Sequence, residues 1–339
     1  MAIDISVFTD LDAVEADADG ALDRSRQANL FDRLAWYRLL RDHCPLPGTL
    51  LVLRARNENG AAWLFLLDQG RQAAAFANWY SFDTGPITSG VADSTLVEAL
   101  AHHLRTVRRY RTVTLLPLGR DRLAATIAPF RAAGWIGLSR EATANWTLAP
   151  SRDWQSYIDN RPSRLRNILR RKLKMIDLSI MIERHFSEEV WQSYERIYAS
   201  SWKPREGSPA FLKALARQES DAGTLRLGLA LDGEEPLAAQ LWLVENGTAT
   251  IHKLAHVETR RRNSPGTILT AAMFRHAIEQ DKVARIDFGT GDDAYKTDWM
   301  DQRQPLYRLC LFNPATAQGL LGAVRESLST VRAVIRRAR

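Results

Sequence analysis

The stretch that decides the fold runs from Ala249 to Lys296, with the sequence ATIHKLAHVETRRRNSPGTILTAAMFRHAIEQDKVARIDFGTGDDAYK. Its apolar spacing and its Gly and Pro positions predict a strand over 248–256, a basic turn, a helix over 266–280 and a strand over 283–288. An acidic and aromatic loop then follows. This order of elements is typical of an α/β unit that binds a ligand where strands and helix meet.

The basic turn combines three arginines with the start of a helix. Ser264 fits the N-cap position, and Pro265 fits the first helical position, where its missing N–H costs nothing. The free amide N–H groups beyond it, the helix dipole and the guanidinium groups together predict a pyrophosphate site. The predicted cofactor-binding residues are Arg260, Arg261, Arg262, Ser264, Pro265, Gly266 and Thr267.

This stretch resembles the acyl-CoA-binding core of the GNAT N-acyltransferase superfamily, and more closely the FemAB-related branch found in cellulose-biosynthesis CelD-type proteins. The resemblance rests on Ser264-Pro265-Gly266, Asp287-Phe288-Gly289 and the Gly291-Asp292…Tyr295-Lys296 loop, and extends from about Trp154 to about Leu311. The usual GNAT phosphate loop is richer in glycine. The resemblance implies two paired GNAT-like folds, the first without the cofactor turn, and no such turn occurs in residues 1–150.

Composition sets broad limits. The chain has 339 residues, which is comfortable for two domains, and its net charge of +7 suits CoA phosphates, an anionic membrane surface or nucleic acid about equally. Its two cysteines, Cys44 and Cys310, build no disulfide framework and lack metal-ligand spacing. The acidic N-terminus lacks a signal-peptide pattern, and no apolar run is long enough to span a membrane. These features predict a cytoplasmic protein.

The order helix, antiparallel meander, helix, strand occurs twice along the chain. It predicts an α/β (α+β) fold of tandem GNAT-like domains, with mixed, mostly antiparallel sheets flanked by helices. The predicted boundaries are a degenerate N-terminal GNAT-like domain over 1–150, an acyl-CoA-binding GNAT domain over 151–315 and a C-terminal basic amphipathic helix over 316–339.

Transfer to an amine requires a base, because a free alkyl amine has a pKa of about 10 and is mostly protonated at neutral pH. His252 and His256 lie on the strand before the turn, and their even spacing predicts one shared sheet face, with Lys253 on the other. His252 is the first candidate base. His256 is the second candidate and a predicted substrate-binding residue. The alternative is two partly buried histidines bonded to neighbouring strands.

The loop after the second strand supplies the other predicted catalytic residues. Asp287 and Asp292 are candidates for orienting a histidine or holding the acceptor ammonium. Tyr295 is a candidate for protonating the leaving thiolate, and Lys296 for binding a CoA phosphate or the oxyanion. The alternative for this loop is an Asx-type turn with a surface ion pair.

Three further segments have open interpretations. Trp202 and Lys203 resemble an acceptor-side loop of this family and are predicted substrate-binding residues, although Trp202 equally fits a packing anchor. The basic run 161–174 fits a solvated face, or an anion-binding face for membrane, charged polymer or CoA. The C-terminal helix pairs an apolar stripe with arginines, a pattern of helices that pack on their own domain or lie in a membrane interface.

The expected activity is acyl-CoA-dependent N-acyl transfer, directly from the thioester to a primary amine. Acyl-CoA is then the co-substrate, and no metal is expected. The acceptor is expected to be a long-chain, sphingoid-like amine or a cell-envelope amine. An anionic membrane surface is a further candidate partner, with peripheral binding to the inner membrane face, and no specific nucleic acid is expected. The alternatives are an aminoacyl-tRNA-dependent, Fem-like transferase and a non-catalytic GNAT-fold binding protein in envelope polysaccharide synthesis. The arginine-flanked turn favours CoA.

Overall fold

The computed structural model describes residues 2–91 and 93–337, without the side chains of residues 174, 175 and 330–337. Within those ranges the α-helices are α1 (Leu11–Ala18), α2 (Leu34–His43), α3 (Ser94–Thr106), α4 (Arg120–Ala132), α5 (Trp154–Asp159), α6 (Ser163–Met175), α7 (Glu188–Ala199), α8 (Pro209–Asp221), α9 (Pro265–Glu279) and α10 (Ala317–Arg337).

The β-strands are β1 (Asp4–Phe8), β2 (Thr49–Asn57), β3 (Gly60–Asp68), β4 (Gln72–Ala75), β5 (Ile87–Gly90), β6 (Thr112–Leu118), β7 (Ile136–Leu148), β8 (Ser179–Glu183), β9 (Leu225–Asp232), β10 (Glu235–Glu245), β11 (Thr248–His256), β12 (Arg285–Thr290) and β13 (Gln302–Phe312). Short 3₁₀ helices cover Leu30–Asp32, Glu258–Asn263 and Ala294–Asp298. The mixed α/β content and the mostly antiparallel pairing confirm the predicted fold class.

The chain divides into two compact units. Unit 1 is Met1–Ala144 with Pro305–Arg339, and unit 2 is Asn145–Gln304. Residues 305–339 group with unit 1 because β13 pairs antiparallel with β6. This division differs from the predicted one, in which the boundary lies near residue 150 and the second domain reaches residue 315. The observed boundary falls inside β7, which begins in unit 1 and ends in unit 2.

Unit 1 is built on the strand order β1-β2-β3-β4-β6-β13, with β5 paired to β3. The β2–β3 hairpin turns between Asn57 and Gly60, as the sequence predicts. β4 runs parallel to β6 for only three residue pairs, from Gln72↔Thr112 to Ala74↔Thr114. Helix α3 packs on this sheet, and its N-cap Asp93 accepts a hydrogen bond from the Thr95 amide at 2.8 Å.

Unit 2 has the strand order β12-β11-β10-β9-β8, with the last residues of β7 paired to β12. β9, β10 and β11 form the predicted antiparallel meander, and helices α7, α8 and α9 pack against it. β11 and β12 are parallel for three residue pairs only, from Thr248↔Arg285 to Thr250↔Asp287. The rest of β11 therefore leaves the side of β12 just before the basic turn.

The core of unit 2 lies under α9, a helix with a long buried face. Phe274 is fully buried, with its ring centroid 5.5 Å from Tyr157, 5.4 Å from Trp242 and 5.0 Å from Trp299. The phenol of Tyr157 donates to the carbonyl of Trp299 at 2.9 Å. This aromatic cluster fixes α9, whose first residues form the basic turn.

Two features of the connection between the units are local. Pro162 separates α5 from α6, because a proline disfavours a helical conformation at the residue before it. β7 is continuous from Ile136 to Leu148. Within residues 2–91 and 93–337, no helix combines the length and apolarity needed to cross a membrane.

Replacing Phe274 with Ala is expected to lower the free energy of unfolding of unit 2 by about 3–5 kcal/mol, because the change removes a fully buried ring from the aromatic cluster. Denaturant unfolding followed by tryptophan fluorescence measures it. Val107→Ala, at an exposed position, is the control and is expected to stay within about 0.5 kcal/mol. A Phe274→Ala loss as small as the control's would contradict the role given to the cluster.

Candidate functional site

The N-terminus of α9 leaves amide groups open for an anion. Ser264 occupies the N-cap position, as predicted, but in the left-handed region with φ 55° and ψ 41°. In this conformation no side chain of the described residues caps the helix. The amides that follow Pro265 therefore lack the side-chain acceptor that usually satisfies them, and the helix dipole adds partial positive charge there. A non-glycine residue in this conformation is strained and often marks a functional position.

Buried hydrogen bonds hold this helix start against β10. The hydroxyl of Thr270 donates to the Gly266 carbonyl at 2.8 Å, and Gln240 donates to the Thr270 hydroxyl at 2.7 Å. The indole of Trp242 in turn donates to the side-chain oxygen of Gln240 at 2.8 Å. The chain of bonds fixes the first turn of α9 relative to the sheet.

A cationic cavity of about 500 Å³ opens beside the basic turn. Lys172 donates to the main-chain carbonyl of Arg262, so α6 and the turn enclose the cavity from two sides. Four cationic side chains and one acidic side chain line it, which favours an anionic ligand. The lining residues are Arg171, Lys172, Glu258, Thr259, Arg261, Arg262 and Ser264.

Only some of the predicted cofactor-binding residues line this cavity. Arg261, Arg262 and Ser264 line it, whereas Arg260 turns to Glu235 in a 2.7 Å ion pair. Arg171 and Lys172 were not predicted individually. They belong to the basic run 161–174, for which CoA binding was one of the open interpretations.

His256 lies at the junction of the turn, α9 and the Trp202 loop. Its ring centroid is 4.3 Å from that of Trp202, and a Cβ at Gly266 would lie 3.1 Å from its Nδ1. A glycine at position 266 thus lets the imidazole lie against the helix start. Burial lowers the pKa of His256, and its Nε2 makes no hydrogen bond to the described residues. The imidazole is therefore neutral at pH 7 and can accept a proton.

His252 has a different environment from the one predicted. The β10–β11 register passes from Leu241↔Lys253 to Trp242↔Ile251, so His252 is the extra residue of a β-bulge. The bulge interrupts the even alternation that predicted a shared face for His252 and His256. His252 is buried, and burial lowers its pKa to about 3, which makes it a poor proton acceptor at neutral pH.

Lys203 and a buried ion pair form a charged group near His256. Lys253 lies 3.1 Å from the Glu206 carboxylate, and burial together with the charge of Glu206 raises the pKa of Tyr198. Lys203 lies 5.7 Å from the centroid of the Trp202 ring, and burial together with the Lys253 charge lowers its pKa to about 8. Neither Tyr198 nor Glu206 was predicted as a site residue.

Lys296 is enclosed by main-chain carbonyls. Its Nζ donates to the carbonyls of Phe288, Gly289, Thr290 and Gly291 at 3.0–3.3 Å, and its side chain is almost fully buried. Burial lowers its pKa to about 8. These contacts tie the end of β12 to the loop that follows, so its geometry is that of a positioning residue rather than of the predicted phosphate or oxyanion ligand.

The two predicted aspartates hold other groups of unit 2. Asp287 accepts from the Asn145 amide at 2.9 Å and from the Gly289 backbone amide at 2.9 Å. Asp292 pairs with Arg303 at 2.7 Å and accepts from the Trp146 indole, and these bonds lower its pKa. The contacts of Asp292 thus match the alternative interpretation, a surface ion pair.

Tyr295 remains available as a proton donor. Its ring meets Phe288 edge-on at 5.7 Å, and the side chain is partly exposed. Burial raises the pKa of its phenol, which therefore stays protonated at neutral pH. Among the residues the structure describes, no group of three His, Cys, Asp or Glu side chains is placed to hold a metal ion.

Comparison with known proteins gives one family match. Residues 163–297 match the family described as "Acetyltransferase (GNAT) domain". This segment covers the basic helix α6, the meander, α9 and the loop with Lys296. No curated protein matches the sequence.

Solved structures share the fold at low sequence identity. FemX is 12% identical, with a TM-score of 0.58 over 83% of this chain and 92% of its own. L-PGS from Bacillus licheniformis is 13% identical, with a TM-score of 0.54 over 90% and 97%. The C-terminal domain of a putative lysylphosphatidylglycerol synthetase from Agrobacterium fabrum is 13% identical, with a TM-score of 0.52 over 78% and 84%.

The family match covers the segment that contains the cationic cavity, His256 and the loop after β12, and 83% of this chain shares the fold of FemX. Residues 163–297 therefore form a GNAT domain of the acetyltransferase type.

Proposed function

We propose that this protein transfers an acyl group from acyl-CoA directly to a primary amine. The observation that carries the proposal is the cationic cavity at the uncapped N-terminus of α9. Pyrophosphate needs several donors and positive charge in one place. The turn offers backbone amides, a helix dipole and two arginines, and α6 adds Arg171 and Lys172.

The residues at the turn fit the phosphates of CoA. Arg261, Arg262, Arg171 and Lys172 would bind them, and the amides after Pro265 would add donors. The thioester supplies the activated acyl group. It would lie along the part of β11 that has left the side of β12, which places His256 near the reacting carbon. A β-bulge such as the one at His252 is over-represented next to active sites.

His256 is the proposed base, directly or through water. It is neutral at pH 7, lies beside the first turn of α9 and has an Nε2 that makes no hydrogen bond to the described residues, with the Glu258 carboxylate 3.8 Å away. His252, the first candidate from the sequence, has a pKa too low for this task. Tyr295, with its phenol protonated, is the proposed donor to the leaving thiolate.

Lys203 is proposed to prepare the acceptor. A cation close to an ammonium lowers the pKa of that ammonium, because like charges destabilise each other's protonated forms. At neutral pH Lys203 is mostly protonated, since its pKa is about 8. Trp202, partly exposed beside it, would form an apolar wall for the acceptor.

The acceptor class follows from the proposed chemistry and from family resemblance. We propose a long-chain, sphingoid-like amine or a cell-envelope amine, met at the cytoplasmic face of the membrane. The resemblance to CelD-type proteins supports an envelope role. The chain would then work as a cytoplasmic enzyme that binds the membrane peripherally.

A second candidate is an aminoacyl-tRNA-dependent, Fem-like transferase. The fold shared with FemX and with the putative lysylphosphatidylglycerol synthetase domain favours it. A third hypothesis is a non-catalytic GNAT-fold binding protein. The cationic cavity favours CoA over both, because four basic side chains meet there beside the start of α9, as a pyrophosphate requires.

Removing positive charge from the cavity is expected to weaken CoA binding. Arg261→Gln/Arg262→Gln should raise the Kd about tenfold or more, because each arginine offers charge-assisted hydrogen bonds to phosphate. Calorimetric titration with CoA, acetyl-CoA and palmitoyl-CoA measures it. The charge-matched control is Arg217→Gln/Arg275→Gln, two exposed arginines paired away from the cavity, on α8 and in the C-terminal half of α9, with a change within about twofold.

Two further results of that titration are decisive. Gly266→Trp should abolish binding, because its side chain must occupy the space between His256 and the helix start. If the wild type bound none of the three thioester-related ligands, the acyl-CoA proposal would fall and the tRNA-dependent and non-catalytic alternatives would stand.

His256→Gln is expected to lower kcat about 100-fold by removing the base. Since burial lowers the pKa of His256, the wild-type rate should fall only as the pH drops below about 6.5, where the imidazole becomes protonated. Steady-state kinetics from pH 5 to 8 measures both effects. His252→Gln is the matched histidine change. A larger loss in that variant, with an intact fold, would return the role of base to His252.

Lys203→Met is expected to reduce kcat/KM about tenfold below pH 8, because the acceptor ammonium loses the neighbouring cation. Above the lysine pKa of about 8 the wild type is also uncharged at this position, so the two rates should converge. Lys203→Arg keeps its charge at every pH tested and is expected to retain the wild-type rate at neutral pH. An equal loss at all pH values in Lys203→Met would rule out the electrostatic role.

A further inference from the structure

The C-terminal helix α10 packs on unit 1 through its smallest residues. A Cβ at Gly319 would lie 2.1 Å from the Asn313 carbonyl oxygen, and a Cβ at Gly322 would lie 2.8 Å from the Phe312 ring. Ala323 is buried in a small apolar cluster with Phe312. The backbone of α10 therefore lies close against the end of β13, and glycine and alanine permit this approach.

The large apolar residues of α10 point away from unit 1. Leu320, Leu321, Val324 and Leu328 are 46%, 56%, 57% and 55% exposed. At about 100° per residue these four positions fall within an arc of roughly 100°. An amphipathic helix that served only its own domain would bury this arc, so the observed orientation leaves an apolar face of α10 in water.

The sequence of this C-terminal segment is basic. Residues 317–339 contain five arginines and one glutamate, and that glutamate, Glu326, pairs with Arg140 of unit 1 at 3.4 Å. Arg325 is exposed and follows Val324 directly, at the edge of the apolar arc. In the sequence the apolar spacing continues at Val331 and Ile335, whose side chains lie outside the described set.

An exposed apolar arc in a basic segment is complementary to the surface of an anionic bilayer. A protein partner would have to bury the arginine side chains against its own acidic residues, whereas an anionic bilayer accepts apolar side chains and basic groups on one continuous surface. Each basic side chain near such a surface adds to the attraction, and the apolar side chains enter the boundary between headgroups and acyl chains.

We infer that α10 is a membrane-docking helix whose Leu320, Leu321, Val324 and Leu328 face inserts into the surface of an anionic bilayer. The inference deepens the proposed function, because it names the segment that would carry the peripheral membrane binding. It is independent of the proposed chemistry, because docking uses neither the cationic cavity nor His256.

Co-sedimentation of the full chain with vesicles tests the inference. The vesicles are neutral phosphatidylcholine and phosphatidylcholine mixed with phosphatidylglycerol, without any acyl-CoA or acceptor. Wild-type protein is expected to bind the anionic vesicles more strongly than the neutral ones. Leu321→Glu/Leu328→Glu should reduce binding to the anionic vesicles about tenfold or more, since carboxylates replace two exposed apolar side chains that would enter the bilayer.

The control carries the same charge change in unit 1. Val91→Glu/Val107→Glu replaces two side chains that are 65% and 64% exposed outside α10, and it is expected to keep most of the binding. Equal loss in both double variants would reduce the effect to net charge and overturn the inference. Equal binding of the wild type to neutral and anionic vesicles would overturn the assignment of an anionic surface.

A self-associating face is the remaining outcome. If sedimentation velocity showed a wild-type dimer that Leu321→Glu/Leu328→Glu dissociates, a second copy would cover the face and the inference would fail. The calorimetric titration with CoA, run on the same variants, keeps the two proposals apart. Loss of vesicle binding with unchanged CoA binding bears on α10 alone.

Discussion

The candidate site depends on one short run of backbone pairing. β11 and β12 are hydrogen-bonded in parallel through three residue pairs and no further. Beyond Thr250 the first strand is free to carry His256 towards the basic turn, while β12 is retained by its other neighbour, the end of β7. Longer pairing with β12 would close the space beside β11. The opening is therefore a property of the sheet, and side chains only refine it.

Several side chains act on this opening from both strands. Lys296 gathers four carbonyls at the end of β12, so the loop after that strand keeps its path without a regular ladder. On the other side, the Gln240–Thr270 bond anchors the start of α9 to β10. Burying an ammonium costs free energy, and removing the carbonyls around it would leave the charge unpaired at a further cost. These contacts therefore keep this part of the loop in one position.

The sequence predicts much of this architecture and less of the chemistry. The meander, α9 and β12 follow from apolar period and from turn residues, since Asn246-Gly247 and Pro265 have strong local preferences. The bulge at His252 could not be predicted, because it depends on the register of β10 against β11. Glu206 was missed for a related reason. It lies in an irregular loop and gains its environment from Lys253, a residue distant in sequence. Arg260 shows that adjacent arginines in a sequence need not share one site, since its ion pair with Glu235 directs it away from the cavity.

The N-cap residue of α3 in unit 1 has a consequence for anion binding at the start of that helix. Unit 1 repeats the three-pair parallel contact, between β4 and β6, and α3 lies on the connection between those strands. Its first turn already holds the Asp93 carboxylate on the Thr95 amide. That carboxylate is covalently tethered, so it competes with any dissolved phosphate at a high effective concentration that no dilution reduces. The Asp93 carboxylate therefore already holds a first-turn amide of α3, whereas the start of α9 has no such side-chain cap among the described residues.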